Sequence, residues 1–129
     1  MIHDYMKPLG FGQITGIDVR GEARGVLPST EWKRNTYKRP EQKKWYAGET
    51  ISLGIGQGYN NFTILQLANA MSTLAAKGVK HRPHLAVGRV DAVTQQFSAI
   101  NKDPGTSMGY KPENVEAVRA AVAAVTVEG

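Results

Sequence analysis

Ser107 sits in Gly105-Thr106-Ser107-Met108-Gly109, a Gly-x-Ser-x-Gly string. In one hydrolase fold such a string makes a sharp elbow between a strand and a helix, freeing the serine hydroxyl for acyl transfer. Asp103-Pro104 before it and Tyr110-Lys111-Pro112 after it are turn residues, so neither flank supplies the strand or helix that the elbow needs. That fold also places an acid and then a histidine downstream, whereas His3, His81 and His84 all precede Ser107. The string therefore reads as a flexible loop.

The other chemistry-bearing groups fare no better. Gly54-Ile55-Gly56-Gln57-Gly58 invites a phosphate-binding reading, but Tyr59 stands where a dinucleotide fingerprint requires glycine, and no Lys-Ser/Thr pair follows. His81 and His84 could share a metal only on a helix, which Pro83 forbids, and no carboxylate or further histidine is near them in sequence. With no cysteine in the chain, thiolate metal sites, thiol nucleophiles and disulfides are excluded. Neither a metal nor a cofactor is expected. Trp32, Tyr37, Trp45 and Tyr46 lie among lysines and arginines, a pattern that can track a polyanion, although a solvated loop anchored by its aromatics explains it as well.

Positioning falls to a mixed set of elements. Ile2, Tyr5, Met6 and Leu9 have helical spacing, stopped by Pro8 and Gly10. Residues 14–19 read as a strand with Ile17 and Val19 on one face, and residues 50–56 as a second strand with Ile51, Leu53 and Ile55 on one face. From Gly21 to Gly48 no period is sustained. A structureless link of that length is unusual in a self-contained domain. Thr63 and Gln66 form a capping box, and Phe62 with Leu67 a hydrophobic staple. They open a helix over 63–77 whose stripe is Ile64, Leu67, Ala68, Met71, Leu74 and Ala75, closed by Lys77 and Gly78. Leu85 and Val87, then Val93 to Phe97, suggest a hairpin. A loop over 101–111 leads to Pro112 and a final helix carrying Val115, Val118, Val122 and Val125. This order gives an α+β fold without the βαβ rhythm of a doubly wound sheet.

Composition sets the outer bounds. The chain has 129 residues, 41% of them hydrophobic, with a net charge of +5, enough for one modest domain. Its longest unbroken apolar run, Ala120 to Val125, is far short of a membrane span. The charge is localised: residues 20–44 hold eight basic and three acidic groups, and the remainder sums to zero. Residues 20–49 are therefore expected to be a long basic surface loop.

The string Lys43-Lys44-Trp45-Tyr46-Ala47-Gly48-Glu49-Thr50-Ile51-Ser52-Leu53-Gly54-Ile55-Gly56-Gln57-Gly58-Tyr59 is the most specific feature. Taken with Thr15-Gly16-Ile17-Asp18, Leu27-Pro28-Ser29, Glu31-Trp32-Lys33 and Pro83-His84-Leu85, it closely resembles the class B penicillin-binding proteins, in particular those of rod-shaped cell elongation. The resemblance runs in order over most of the chain. It implies an α+β transpeptidase domain, with helices packed beside an antiparallel sheet, of which residues 1–129 are an internal part. It also implies a parent enzyme that cross-links peptidoglycan stem peptides by serine acyl transfer and is acylated by β-lactams.

The implied partners are an elongation glycosyltransferase and shape-determining membrane proteins. The implied location is the periplasmic face of the bacterial inner membrane, reached through an N-terminal membrane helix outside this chain. The family's motifs are a Ser-x-x-Lys pair, a second serine motif and a Lys-Thr/Ser-Gly strand. Three places after Ser29, Ser52, Ser72, Ser98 and Ser107 stand Trp32, Ile55, Ala75, Asn101 and Tyr110, never lysine. No lysine is followed by Thr-Gly or Ser-Gly. No catalytic, cofactor or metal residue is therefore assigned to this chain, which is expected to be a scaffolding middle piece, inactive alone. The competing reading is a stand-alone basic module for an anionic polymer or protein partner, with a hydrolase using Ser107 a distant third.

Overall fold

Helix α5, Ile64–Ala75, is the centre of the computed structural model, which describes residues 2–100 and 103–128. The capping box forms as the sequence predicts. Thr63 Oγ1 accepts from the Gln66 backbone N–H at 3.1 Å, and Gln66 Oε1 accepts from the Thr63 N–H at 3.4 Å. The helix ends where Lys77 (φ 56°) and Gly78 (φ 82°) turn left-handed and the Gly78 N–H reaches back to the Thr73 carbonyl at 2.8 Å. What it buries is a different matter. Gln66, Asn69, Ala70 and Thr73 face inward, while Ile64, Leu67 and Met71 of the expected stripe face outward.

The small core against α5 consists of Phe11, Leu27 and Ala70, with Met6, Leu9 and Phe62 packed on it. The Phe11 and Phe62 rings lie 4.5 Å apart and tilted. The amino-terminal helix α1, Ile2–Met6, leads into the turns that carry Phe11. An antiparallel bridge from Val26 to Asn61 closes the layer, and glycine is required beside it at Gly25, where φ is +63° and a Cβ would lie 2.5 Å from the Asn61 carbonyl oxygen.

Several elements differ from expectation. Residues 14–19 form no strand: the Thr15 and Gly16 N–H groups donate to the Glu22 carboxylate rather than to a ladder. Residues 20–49 are not one long loop. Ser29 Oγ accepts from the Trp32 N–H at 3.0 Å and opens α2, Thr30–Thr36, and Pro40 starts the short α3, Pro40–Lys43, which packs on α2. The expected strand over 50–56 is instead helix α4, Ala47–Gly54. Glu49 overrides the alternation there, since its carboxylate accepts from the Tyr46 N–H at 2.9 Å and fixes a helical first turn. Leu53 is buried, and Ile51 and Ile55 are left exposed.

The carboxyl half carries two antiparallel pairs. Strand β1, Val79–Lys80, pairs with β4, Thr106–Ser107, so the expected loop over 101–111 contains a strand. A hairpin joins β2, Gly88–Val90, to β3, Phe97–Ala99, a little displaced from the predicted runs. Asp91 makes its turn by accepting from the Val93 and Thr94 N–H groups. Helix α6, Pro112–Glu128, returns against α5 with Val115 buried at the contact.

Candidate functional site

Lys33 is 3% exposed, far below what an unpaired lysine tolerates. The Ser29 cap sets its place on the inner side of α2. From there Nζ donates to the Lys44 carbonyl at 2.7 Å and to the Glu49 carboxylate. The rings of Tyr46, Tyr59 and Trp45 surround the ammonium at 5.2, 5.5 and 5.9 Å. The Tyr59 hydroxyl donates to the same Glu49 oxygen at 3.1 Å, and the Trp32 ring lies 5.4 Å from that of Tyr59.

Burial alone would lower the Lys33 pKa, but the hydrogen bond and charge of Glu49 outweigh it and hold the amine above its ordinary value. Burial likewise acts to raise Glu49, and its bonds from Lys33 and the Tyr46 N–H more than offset that, leaving it lowered. A lysine serving as a base must give up its proton near neutral pH. Lys33 is tuned the opposite way. The cluster is a strut tying α2 and the start of α4 to Tyr59, and sequence reasoning misses it by counting Lys33 among surface charges. The signal is present in Glu49 with aromatics on both sides, at Trp45-Tyr46 and at Tyr59.

The glycine-rich segment folds into the end of α4 and a turn. Gly54 ends α4, and Gly56 and Gly58 take positive φ in the turn that follows, with the Gln57 N–H donating to the Ser52 carbonyl at 2.9 Å. Ser107 lies on β4, paired with Val79, and its Oγ accepts from the Gly109 N–H, so it does not stand on an elbow. His81 approaches the Asp103 carbonyl at 3.2 Å and His84 the Ala86 carbonyl at 3.1 Å. Among the described residues no group of three metal-ligating side chains comes together.

Two carboxylates organise the chain around these histidines. Asp18 accepts from the Leu85 and Ala86 N–H groups at 2.8 and 2.9 Å, and Asp103 accepts from those of Arg82 and Gly105 at 2.7 and 3.2 Å. These backbone bonds hold both acids below the ordinary carboxylate range. A cavity of about 480 Å³ beside Asp103 is lined by Thr15, Lys80, His81, Arg82 and Thr106.

The outer face of α5 is the remaining feature. Ile64 is 86% exposed and Leu67 52%, while Gln66 and Thr73 on the opposite face are completely buried. On α4, Ile51 and Ile55 are also exposed, at 70% and 67%. These apolar side chains, at helical spacing on each helix, are left facing outward.

The described residues form a small α+β layer in which α5 buries polar side chains and exposes apolar ones. The chain belongs to the penicillin-binding protein transpeptidase domain family, whose model matches residues 1–129. It is 42% identical over 96 residues to the peptidoglycan D,D-transpeptidase MrdA of Haemophilus influenzae, covering 74% of this chain and 14% of that protein. To MrdA of Acinetobacter baumannii it is 44% identical over 84 residues, or 65% of this chain and 12% of that protein.

The fold superposes on the penicillin-binding protein PBP2 of Helicobacter pylori, solved in complex with MreC. The TM-score is 0.70 at 26% identity, over 92% of this chain and 19% of that one. Penicillin-binding protein 2B of Streptococcus pneumoniae gives the same score at 21% identity, over 91% and 18%, and supports the fold alone. The chain thus spans about 14% of the length of the MrdA of Haemophilus influenzae.

Proposed function

We propose that residues 1–129 are an internal structural part of the transpeptidase domain of a peptidoglycan D,D-transpeptidase acting in cell elongation and rod-shape maintenance. Identity of 42% to a named D,D-transpeptidase supports the activity of the whole. That whole would cross-link stem peptides by serine acyl transfer, be acylated by β-lactams, and use neither metal nor cofactor. The missing Ser-x-x-Lys and Lys-Thr/Ser-Gly motifs support the reading that none of the reacting groups lies in this segment.

The observation that carries the scaffolding role is the reversal of α5, which buries Gln66, Asn69 and Thr73 and turns Ile64 and Leu67 outward. A helix so arranged is a partition between two packed layers, one of which is the rest of the domain. The PBP2 of Helicobacter pylori forms a complex with MreC, and shape-determining proteins of that kind, with an elongation glycosyltransferase, are the proposed partners. The proposed setting is the periplasmic face of the inner membrane. Among the described residues no helix is long and apolar enough to cross a membrane.

Incubation with a penicillin followed by intact-mass spectrometry tests the reading. The 129-residue chain is expected to gain no adduct, and a covalent penicilloyl adduct on it overturns the assignment. In the longer transpeptidase carrying this segment, Leu67→Ser should lower stability by about 2 kcal/mol or more, whereas in the chain alone it should fall within about 0.5 kcal/mol. Equal effects in both would mean that nothing covers α5.

A further inference from the structure

Lys33 is held in the way a bound ligand is held. Its ammonium has several N–H groups to place, and they reach the Lys44 carbonyl at 2.7 Å and the Glu49 carboxylate. Around the charge stand the rings of Tyr46, Tyr59 and Trp45, at 5.2, 5.5 and 5.9 Å. All of these recognising groups belong to residues 44–59, whereas the ammonium enters from a separate element, α2.

The site keeps its shape through bonds in which Lys33 takes no part. Glu49 Oε2 accepts from the Tyr46 N–H at 2.9 Å, and the Tyr59 hydroxyl donates to Oε1 at 3.1 Å. Trp45 Nε1 donates to the Thr50 hydroxyl at 2.9 Å, and the Tyr46 hydroxyl donates to the Glu41 carbonyl at 3.3 Å. The Glu49 side chain is only 18% exposed, so without the ammonium a poorly hydrated carboxylate would face three rings with its charge uncompensated.

These surroundings select their occupant on two counts. The rings and the carboxylate require positive charge, and the carbonyl requires an N–H donor. A neutral alcohol fails the first requirement, and a quaternary ammonium, which has no N–H, fails the second. Tyr46 is 49% exposed, so one wall borders solvent and a small ion can enter past it.

We propose that residues 44–59 form a preformed binding site for a primary alkylammonium, which the chain fills with its own Lys33. Helix α2 is thereby fastened by an internal ligand, and tethering gives that ligand an effective concentration that a free amine does not match until Lys33 is shortened. The proposal does not depend on the transpeptidase reading.

The test is chemical rescue of Lys33→Ala by propylammonium, which reproduces the atoms that the substitution removes. Each variant also carries Lys44→Gln, because the Lys44 ammonium lies 5.7 Å from the Tyr46 ring and would otherwise compete for the space. A small ion in such a site is expected to bind with a dissociation constant of about 1 mM. At about 100 mM propylammonium the melting temperature of Lys33→Ala should therefore rise by at least about 5 °C more than that of Lys44→Gln alone. 1-Propanol and tetramethylammonium should give no such rise, and neither should propylammonium added to Lys33→Met, where the longer side chain fills the space. Adding Glu49→Gln to the alanine variant should abolish the rescue. If the alanine variant is unfolded, propylammonium should restore its circular dichroism. Absence of rescue overturns the proposal, as does equal rescue by propanol, by tetramethylammonium or in the Glu49→Gln background.

Discussion

Gln66 is the residue whose removal should cost this chain most for its size. Its amide is completely buried, and its Nε2 donates to the carbonyls of Gln13 and Arg24, both at 2.6 Å. Its Oε1 accepts from the Thr63 N–H at the head of α5. Gln66→Leu keeps the volume but strands two carbonyls and weakens one helix cap. At roughly 1 kcal/mol for each of the three interactions, the loss is about 3 kcal/mol, or about 10 °C in melting temperature for a domain of this size.

Urea unfolding of both forms, followed by circular dichroism, measures the loss directly, and a similar denaturant slope in both keeps the comparison valid. Gln66→Glu sharpens the test. A carboxylate there would face two carbonyl oxygens, so burial and repulsion should raise its pKa above the unfolded value of about 4.3. The penalty is then smallest below that pH, where a protonated carboxyl can still donate one bond, and grows as pH rises toward the raised value. A loss below about 1 kcal/mol in the leucine variant, or no pH dependence in the glutamate variant, would refute the claim that this amide ties the layer together.

The Lys33–Glu49 strut should show its own pH signature. Glu49 lies below the ordinary 4.5, so its contribution is present above that value and is lost as pH falls through the depressed one. Lys33 lies above the ordinary 10.5, so its contribution is present below that value and is lost as pH rises through the raised one. Lys33→Met should flatten both limbs of a stability–pH curve measured by thermal melting. Gly25→Ala should destabilise by about 1–3 kcal/mol in the same urea assay, since its φ is +63° and the new Cβ would meet the Asn61 carbonyl. Asn69 Nδ2 is buried with no partner among the described residues, so Asn69→Leu should leave the chain as stable or up to about 1 kcal/mol more stable; a clear loss would mean that the amide is bonded.

Local signals in the sequence are legible, and long-range ones are not. Thr63, Gln66 and Gly78 fix both ends of α5 through contacts within a few residues, which a linear reading can reach. The inward face of α5 cannot be read that way, because Gln66 is buried by carbonyls 53 and 42 residues distant. Hydropathy at residues 64–75 therefore picks the face of α5 opposite to the one that packs. In α4 the alternation of Ile51, Leu53 and Ile55 is compatible with either period, and the Glu49 carboxylate decides it. The expectation that no reacting group lies in this segment rests on motif spacing alone. The strut at Lys33 escapes a charge count because such a count carries no information about burial.

The bonds from Gln66 to Gln13 and Arg24, with the Val26–Asn61 bridge beside them, also set an order of events during synthesis. Nothing emerging from the ribosome before residue 61 can complete this layer, and the amide at 66 closes two large loops in one step. The capping box, by contrast, can nucleate its helix unaided as soon as a few further residues are free. The helix should therefore come first and gather earlier chain around it, making the stretch amino-terminal to the bridge at Asn61 the late-docking half of the unit.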